Sequence, residues 1–141
     1  MTKSIQVFYA GFWIRLIAYF IDAFVLLFVM VMIFKMQGEV APEIFPHQIP
    51  SQALAMLISW LYFSLQYASP YQATLGMRMV GIKVVDLEYK RLSLARATGR
   101  HFAHYISAFI LFAGFFLIAF TKRKQGLHDY LASTYVIYEG E

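Results

Sequence analysis

Arg15 and Asp22 stand inside a stretch that is otherwise almost wholly apolar, Phe12 to Phe34, FWIRLIAYFIDAFVLLFVMVMIF. A carboxylate placed there could hold a proton or a cation, and a guanidinium could hold a carboxylate. Either group is costly in a bilayer, about 2.5–3.5 kcal/mol near a helix centre on insertion scales. Arg15 lies close to the start of the stretch and can snorkel to the headgroups. Asp22 lies nearer the middle, and its side chain is too short to reach water. The two are seven residues apart, close to two helical turns, so they share a face about 10.5 Å apart along the axis. A helical Arg leans toward its own N-terminus, away from Asp22. A direct pair is therefore not expected, and each should meet a group from another segment. A purely structural network that locks helix packing is the alternative to a proton or ion site.

Further chemistry-bearing residues lie downstream. Ser93, Arg96, Arg100, His104 and Ser107 recur at steps of three and four, which sets them on one helix face. If both termini lie at one membrane face, Arg15 can pair with Asp129, and Asp22 should face the stripe of Arg96, Arg100 and His104. Burial raises the pKa of a carboxylate and a neighbouring cation lowers it. Such opposed effects can place a proton site in the working range, as proton-coupled transport requires. His101 and His104 stand at i, i+3, and His128 precedes Asp129, but this spacing is no metal signature. No metal or cofactor is expected. There are no cysteines, which excludes disulfides, thiolate metal sites and Cys nucleophiles. Serine-hydrolase, zinc-protease and nucleotide-loop motifs are missing, so no enzyme is expected.

These residues must be positioned by membrane elements. Of 141 residues, 60% are hydrophobic and 14% charged, against about 25% charged in soluble domains. There is room for one domain, 1–141, and the expected class is an all-α membrane protein. Two transmembrane helices are clear, at about 12–34 and 52–68, the second at the short end of the spanning range. Lys35, Gly38, Glu39, Pro42, Glu43, Pro46, His47 and Pro50 mark a loop over 35–50, and Ser51 is a helix cap. Ser69-Pro70 ends the second span. Met79 to Asp86 reads as a strand, LEYKR as a turn, Gln125 to Ala132 as a short helix and Thr134 to Tyr138 as a β-rich tail. The third apolar region, about 94–121, is bent, re-entrant or spanning. The 14 Phe and 10 Tyr residues suit interfacial positions. The N-terminal run is too long and too charged for a cleavable signal and should act as an uncleaved anchor.

The net charge is +4, and the basic residues cluster beside membrane segments, where they set topology and contact headgroups. A nucleic-acid partner is excluded for want of a soluble basic face. Arg78, Lys83, Lys90, Arg91, Arg96 and Arg100 place the middle region, and with it the N-terminus, in the cytoplasm. One simple third span would put Lys122-Arg123-Lys124 outside, against that rule. Either the bias is overridden and the C-terminus lies outside, or 94–121 folds back near Ala113-Gly114. The second arrangement is favoured. It lets Thr134–Tyr138 pair with the strand at 80–85 and leaves no sheet edge alone at the membrane.

Four blocks in order carry a resemblance over nearly the whole chain: Tyr9 to Leu16 continuing to Asp22; Thr74 to Arg78 with Gly81 to Asp86; Leu92 to Ala97 with Arg100; and Lys124 to Ala132. Together they resemble the RDD family of small membrane proteins, named for one arginine and two aspartates. The resemblance assigns Arg15, Asp22 and Asp129 to that trio, with Asp86 as the alternative for the last. Met77 stands where the family often has a basic residue, and Ser133 where a glycine is common. The resemblance implies an integral membrane protein of bacterial type; with the spans and the charge bias, the expectation is a multi-pass protein of the bacterial inner membrane, N-terminus cytoplasmic. Monovalent cation/proton antiport has been linked to some members. The lead expectation is thus a transporter with Asp22 as proton or ion site and Arg15 and Asp129 as electrostatic partners. So few helices enclose little volume, so a transporter of this size should be a homo-oligomer in the lipid bilayer. The alternative is a membrane scaffold or accessory subunit that binds a protein partner through 71–92 and the C-terminal tail.

Overall fold

The computed structural model describes residues 7–40, 51–110 and 113–139. Helix α1 runs over Phe12–Val40, α2 over Ser51–Tyr67, α3 over Leu75–Met79, then strand β1 over Ile82–Asp86. Helices α4 (Leu94–Phe109), α5 (Ala113–Phe120) and α6 (Leu127–Ala132) precede strand β2 (Thr134–Tyr138). The chain is mostly helical with one small sheet. Among the described residues one helix is long and apolar enough to cross a membrane, α1 over Phe12–Met36. The second expected span is the 17-residue α2.

α1 is longer than the expected 12–34. Lys35, Met36 and Gln37 favour helix, and the first proline comes only at position 42. The proline-rich part of the expected loop, 41–50, lies outside the described residues. Extension moves Asp22 off centre, leaving roughly 18 residues of α1, about 27 Å, beyond it. The buried stripe of α1 is Arg15, Ala18 and Asp22, at steps of three and four. Trp13, Phe20, Phe24, Leu27 and Phe28 on the other faces are exposed. α3 packs against this stripe, so the N-terminal third of α1 is wrapped by protein, while Phe24, Leu27, Phe28 and Met36 farther along are exposed.

The strand expected over 79–86 begins three residues later. Thr74 caps α3, its hydroxyl accepting from the Met77 N–H at 3.2 Å. The helix takes residues through Met79, and Gly81 turns the chain at φ +71°. The two strands pair antiparallel as the tail expectation requires, with Ile82 opposite Tyr138, Val84 opposite Val136 and Asp86 opposite Thr134. Both outer edges are covered. Ala10 N–H donates to Val136 O at 2.8 Å, and Val84 N–H donates to Gln72 O at 2.7 Å. Asp86 organises the following turn, its carboxylate accepting from the N–H groups of Glu88 (2.8 Å) and Lys90 (2.9 Å).

The third apolar region is broken. α4 ends at Phe109 with Ile110 as its cap, and α5 starts at Ala113, so the break precedes Gly114. The eight residues of α5 are about 12 Å long and cannot cross a bilayer alone. α6 then returns the chain to α4 and to β2. Its cap, Ser133, lies in the left-handed region at φ 52°, ψ 57°, which explains why glycine suits this position. Relief of left-handed strain outweighs the added freedom of the unfolded chain. Ser133→Gly should therefore stabilise the fold by roughly 0.5–1 kcal/mol. A thermal midpoint in detergent that falls rather than rises would refute this account of the cap.

Candidate functional site

The two buried aspartates have separate environments. Asp129, in the first turn of α6, is fully buried. Its Oδ2 accepts from Arg15 Nη1 at 2.5 Å and from the Gly126 N–H at 2.8 Å. Its Oδ1 accepts from Arg100 Nη1, which also donates to the Thr134 hydroxyl at 2.6 Å. Arg15 is held in turn by two carbonyls, Ala10 O at 3.0 Å and Lys124 O. Both arginines are about as buried as their partner. Burial alone would raise the Asp129 carboxyl, but Arg100 and Arg15 beside it hold it well below the usual carboxylate range. One carboxylate thus joins α1, α4, α6 and β2, and two cations share it.

His128 lies beside this cluster, its Nε2 3.6 Å from Asp129 Oδ1. Burial pushes it down from an ordinary 6.5 to about 3, so the ring is neutral. It stacks on His104 with centroids 3.9 Å apart and planes at 25°. His104 Nδ1 lies 2.8 Å from Arg100 O. A carbonyl only accepts, so Nδ1 carries the hydrogen, and in the neutral ring Nε2 accepts from the Tyr19 hydroxyl. Tyr19, His104, His128 and Asp129 form a continuous line of contacts.

Asp22 lies apart from that line and is 1% exposed. Its Oδ1 accepts from the Tyr62 hydroxyl at 2.7 Å and the Gly76 N–H at 2.8 Å, and its Oδ2 from the Thr74 hydroxyl at 2.6 Å. Among the described residues no cation pairs with it. Close approach is possible because position 76 is glycine. A Cβ there would collide with the Ala18 carbonyl and come within 2.9 Å of the Asp22 carboxyl carbon.

The expected trio is therefore split. Arg15 and Asp129 meet; Asp22 does not join them and does not face Arg96, Arg100 and His104. The stripe divides as well, because steps of four overshoot a 3.6-residue turn. Arg96 reaches outward to Asp86 at 3.5 Å, Arg100 inward to Asp129, and His104 to Tyr19. Asp86 is a turn former and not the partner of Arg15. Sequence reasoning missed Tyr62, Thr74 and Gly76 as the partners of Asp22, and Tyr19 as the partner of His104. Thr74, three residues before an amide it caps, carried the signal for α3. Among the described residues no group of three metal-ligating side chains is placed to hold an ion.

Residues 9–133 match the model of the RDD family. The chain is 36% identical over 148 residues to the uncharacterized protein YxaI of Bacillus subtilis (strain 168), covering 92% of this chain and 97% of that one. It is 27% identical over 140 residues to the uncharacterized membrane protein YteJ of the same organism, covering 93% and 82%. No solved structure matches it.

Proposed function

The chain belongs to the RDD family, and from that premise we propose that it is an integral membrane protein in which Asp22 holds a proton or a monovalent cation for exchange. One observation carries the reading: Asp22 is a buried carboxylate on the longest apolar helix, with hydrogen-bond donors around it and no cation paired to it among the described residues. A buried carboxylate is stabilised by a partner cation or by loss of its charge. A proton or a small cation supplies one or the other. Asp129 has its arginines already, so its role in this reading is to hold the helices that carry Asp22.

The name of YteJ supports the membrane setting, as do α1 and the exposed apolar faces. In this reading the protein is multi-pass in the bacterial cell membrane. α2 crosses as the second span, and α4 with α5 forms a bent element that returns to its own side. The β1–β2 pair supports a common side for the middle region and the C-terminal strand, and the positive residues put that side and the N-terminus in the cytoplasm. The exposed face of α1, with Phe20, Phe24 and Phe28, meets lipid and a second copy in a homo-oligomer. No enzymatic role is part of the reading.

The test is ion-driven proton flux in liposomes carrying wild type or Asp22→Asn, with Na⁺, Li⁺ and K⁺ in turn. Asn retains an oxygen for Tyr62 and Gly76, and its amide can donate to the Thr74 hydroxyl. Flux in wild type that drops to the level of empty liposomes in the folded variant is the expected result. Undiminished flux in folded Asp22→Asn ends the proposal. A second reading, a subunit that recruits a protein partner, draws on the exposed turn after β1, where Leu87 and Tyr89 are about half exposed. It predicts a partner that co-purifies with wild type and Asp22→Asn alike and is lost on Leu87→Asp.

A further inference from the structure

Three tyrosines from separate parts of the chain meet around one arginine. Tyr9 precedes α1, Tyr89 lies in the turn after β1, and Tyr135 lies in β2. Tyr135 is the centre of the group. Its ring centroid is 5.5 Å from that of Tyr9, edge-on, and 5.7 Å from that of Tyr89. The Tyr9 and Tyr89 hydroxyls share a hydrogen bond of 2.6 Å. The Arg123 guanidinium lies over the Tyr135 ring, 5.4 Å from its centroid, and donates to the Tyr135 hydroxyl. Tyr135 is buried, whereas Arg123 and Tyr89 are exposed. Tyr89 sits in the left-handed region at φ 62°, a conformation that a side chain with a Cβ keeps only where its surroundings hold it.

The bonds within this group leave donors over. Tyr9 and Tyr89 use one hydroxyl hydrogen between them and leave the other. The Tyr135 hydroxyl accepts from Arg123, so its own hydrogen is left as well. Among the described residues no carboxylate pairs with Arg123. We infer that this cluster binds the phosphate of an anionic phospholipid headgroup. Donor chemistry is the first argument. Phosphate oxygens accept from hydroxyls and guanidinium alike, and a planar guanidinium matches them with paired N–H groups. Position is the second. Phe120, the last residue of α5, and Phe8, next to Tyr9, are 84% and 50% exposed. The basic run Lys122-Arg123-Lys124 follows Phe120 almost at once. Apolar side chains giving way to aromatic rings and cations mark the headgroup level of a bilayer. Charge is the third. Lys122 and Lys124 beside Arg123 attract a headgroup of net negative charge and oppose the ammonium of a zwitterionic one. The inference rests on the membrane setting proposed above and does not use exchange at Asp22.

The experiment uses the full chain in detergent micelles, with bound lipid counted by native mass spectrometry. Short-chain phosphatidylglycerol, short-chain phosphatidylcholine and inorganic phosphate are titrated in turn. Phosphatidylglycerol should bind saturably and about tenfold tighter than phosphatidylcholine, the scale of one charge-assisted hydrogen bond. Arg123→Lys keeps the charge but loses the planar fork, and should remove most of that preference. Tyr9→Phe combined with Tyr89→Phe keeps both rings and should weaken phosphatidylglycerol binding severalfold. Arg78→Gln removes a different exposed cation, one lying 4.1 Å from the Tyr71 ring centroid, and should leave the preference intact. Equal affinity for the two lipids would overturn the inference. So would a preference that survives Arg123→Lys, or one that Arg78→Gln reduces as much, since attraction would then be diffuse. Inorganic phosphate that binds as tightly as the lipid would also overturn it, in favour of a free anion. A chain that stays in solution without detergent would end the membrane setting itself, which separates that failure from failure of the site.

Discussion

Replacing Asp129 with Asn should destabilise the folded protein by about 3–5 kcal/mol, the usual result of leaving buried charge without its partner. That is a large share of a total stability of about 5–15 kcal/mol. The physical reason is the arrangement at the carboxylate. Arg15 donates to one oxygen and Arg100 to the other. An amide offers an oxygen to only one of them and points N–H groups at the second. Both guanidiniums stay buried, now repelling each other without an anion between them. Arg100→Met in the same background should recover part of the loss, because it removes one stranded charge. The exposed pair of Arg96 and Asp86 is the comparison, with side chains 42% and 16% exposed. Breaking it should cost about 0–1 kcal/mol. Reversible unfolding in mixed micelles measures all four proteins. The pair is broken at Arg96, since Asp86 also holds the turn, and an Asp129→Asn variant no less stable than Arg96→Gln would show that the cluster does not hold the helices together. The folded pKa of Asp129 is depressed. Its contribution is thus present above the unfolded value of about 3.9 and is lost only as pH falls through the lower folded value.

Gly76→Ala should damage the fold although it adds a single methyl group. The new carbon would strike the backbone carbonyl of Ala18, which cannot rotate away, and crowd the carboxyl of Asp22. α3 must then lift from α1, and the bond from the Gly76 N–H to Asp22 is lost with it. Overpacking of this kind costs typically 1–3 kcal/mol and occasionally more. The same substitution at Gly99, in α4, meets nothing within 4 Å and should stabilise by about 0.5–1 kcal/mol, because alanine favours helix. Opposite signs at two glycines separate close approach from helix propensity. Thermal midpoints of the two variants test this directly, and a neutral Gly76→Ala would mean that α3 does not sit against α1 as described.

Some of this arrangement was legible before any coordinates. The expected pairing of the last strand with the strand near 80–85 is observed, and so is the expected contact of Arg15 with Asp129. Both followed from the expectation that the third apolar region folds back, which used the basic residues at 122–124 and the rule that an unpaired edge is unfavourable at a membrane. The partners of Asp22 were not legible, because they lie 40–54 residues away in sequence and are a hydroxyl, a hydroxyl and a backbone N–H. Groups of that kind leave no charge pattern and no periodicity. α3 was hidden for another reason. Its five residues run into a β-branched stretch, and a propensity reading starts the strand at Met79, the last residue of the helix, and assigns no element to the four before it. The division of the third apolar region into two helices was legible through the basic residues beyond it.

The order in which a ribosome makes these groups adds a consequence. Arg15 precedes its carboxylate partner by 114 residues, and Arg100 precedes it by 29. The cations of α1 and α4 are therefore made before their shared anion and stay uncompensated until residue 129 emerges. A nascent chain that stalls before that point carries two unanswered charges beside its apolar helices and an open β1 edge. Such an intermediate lacks the one anion that both cations share in the finished fold.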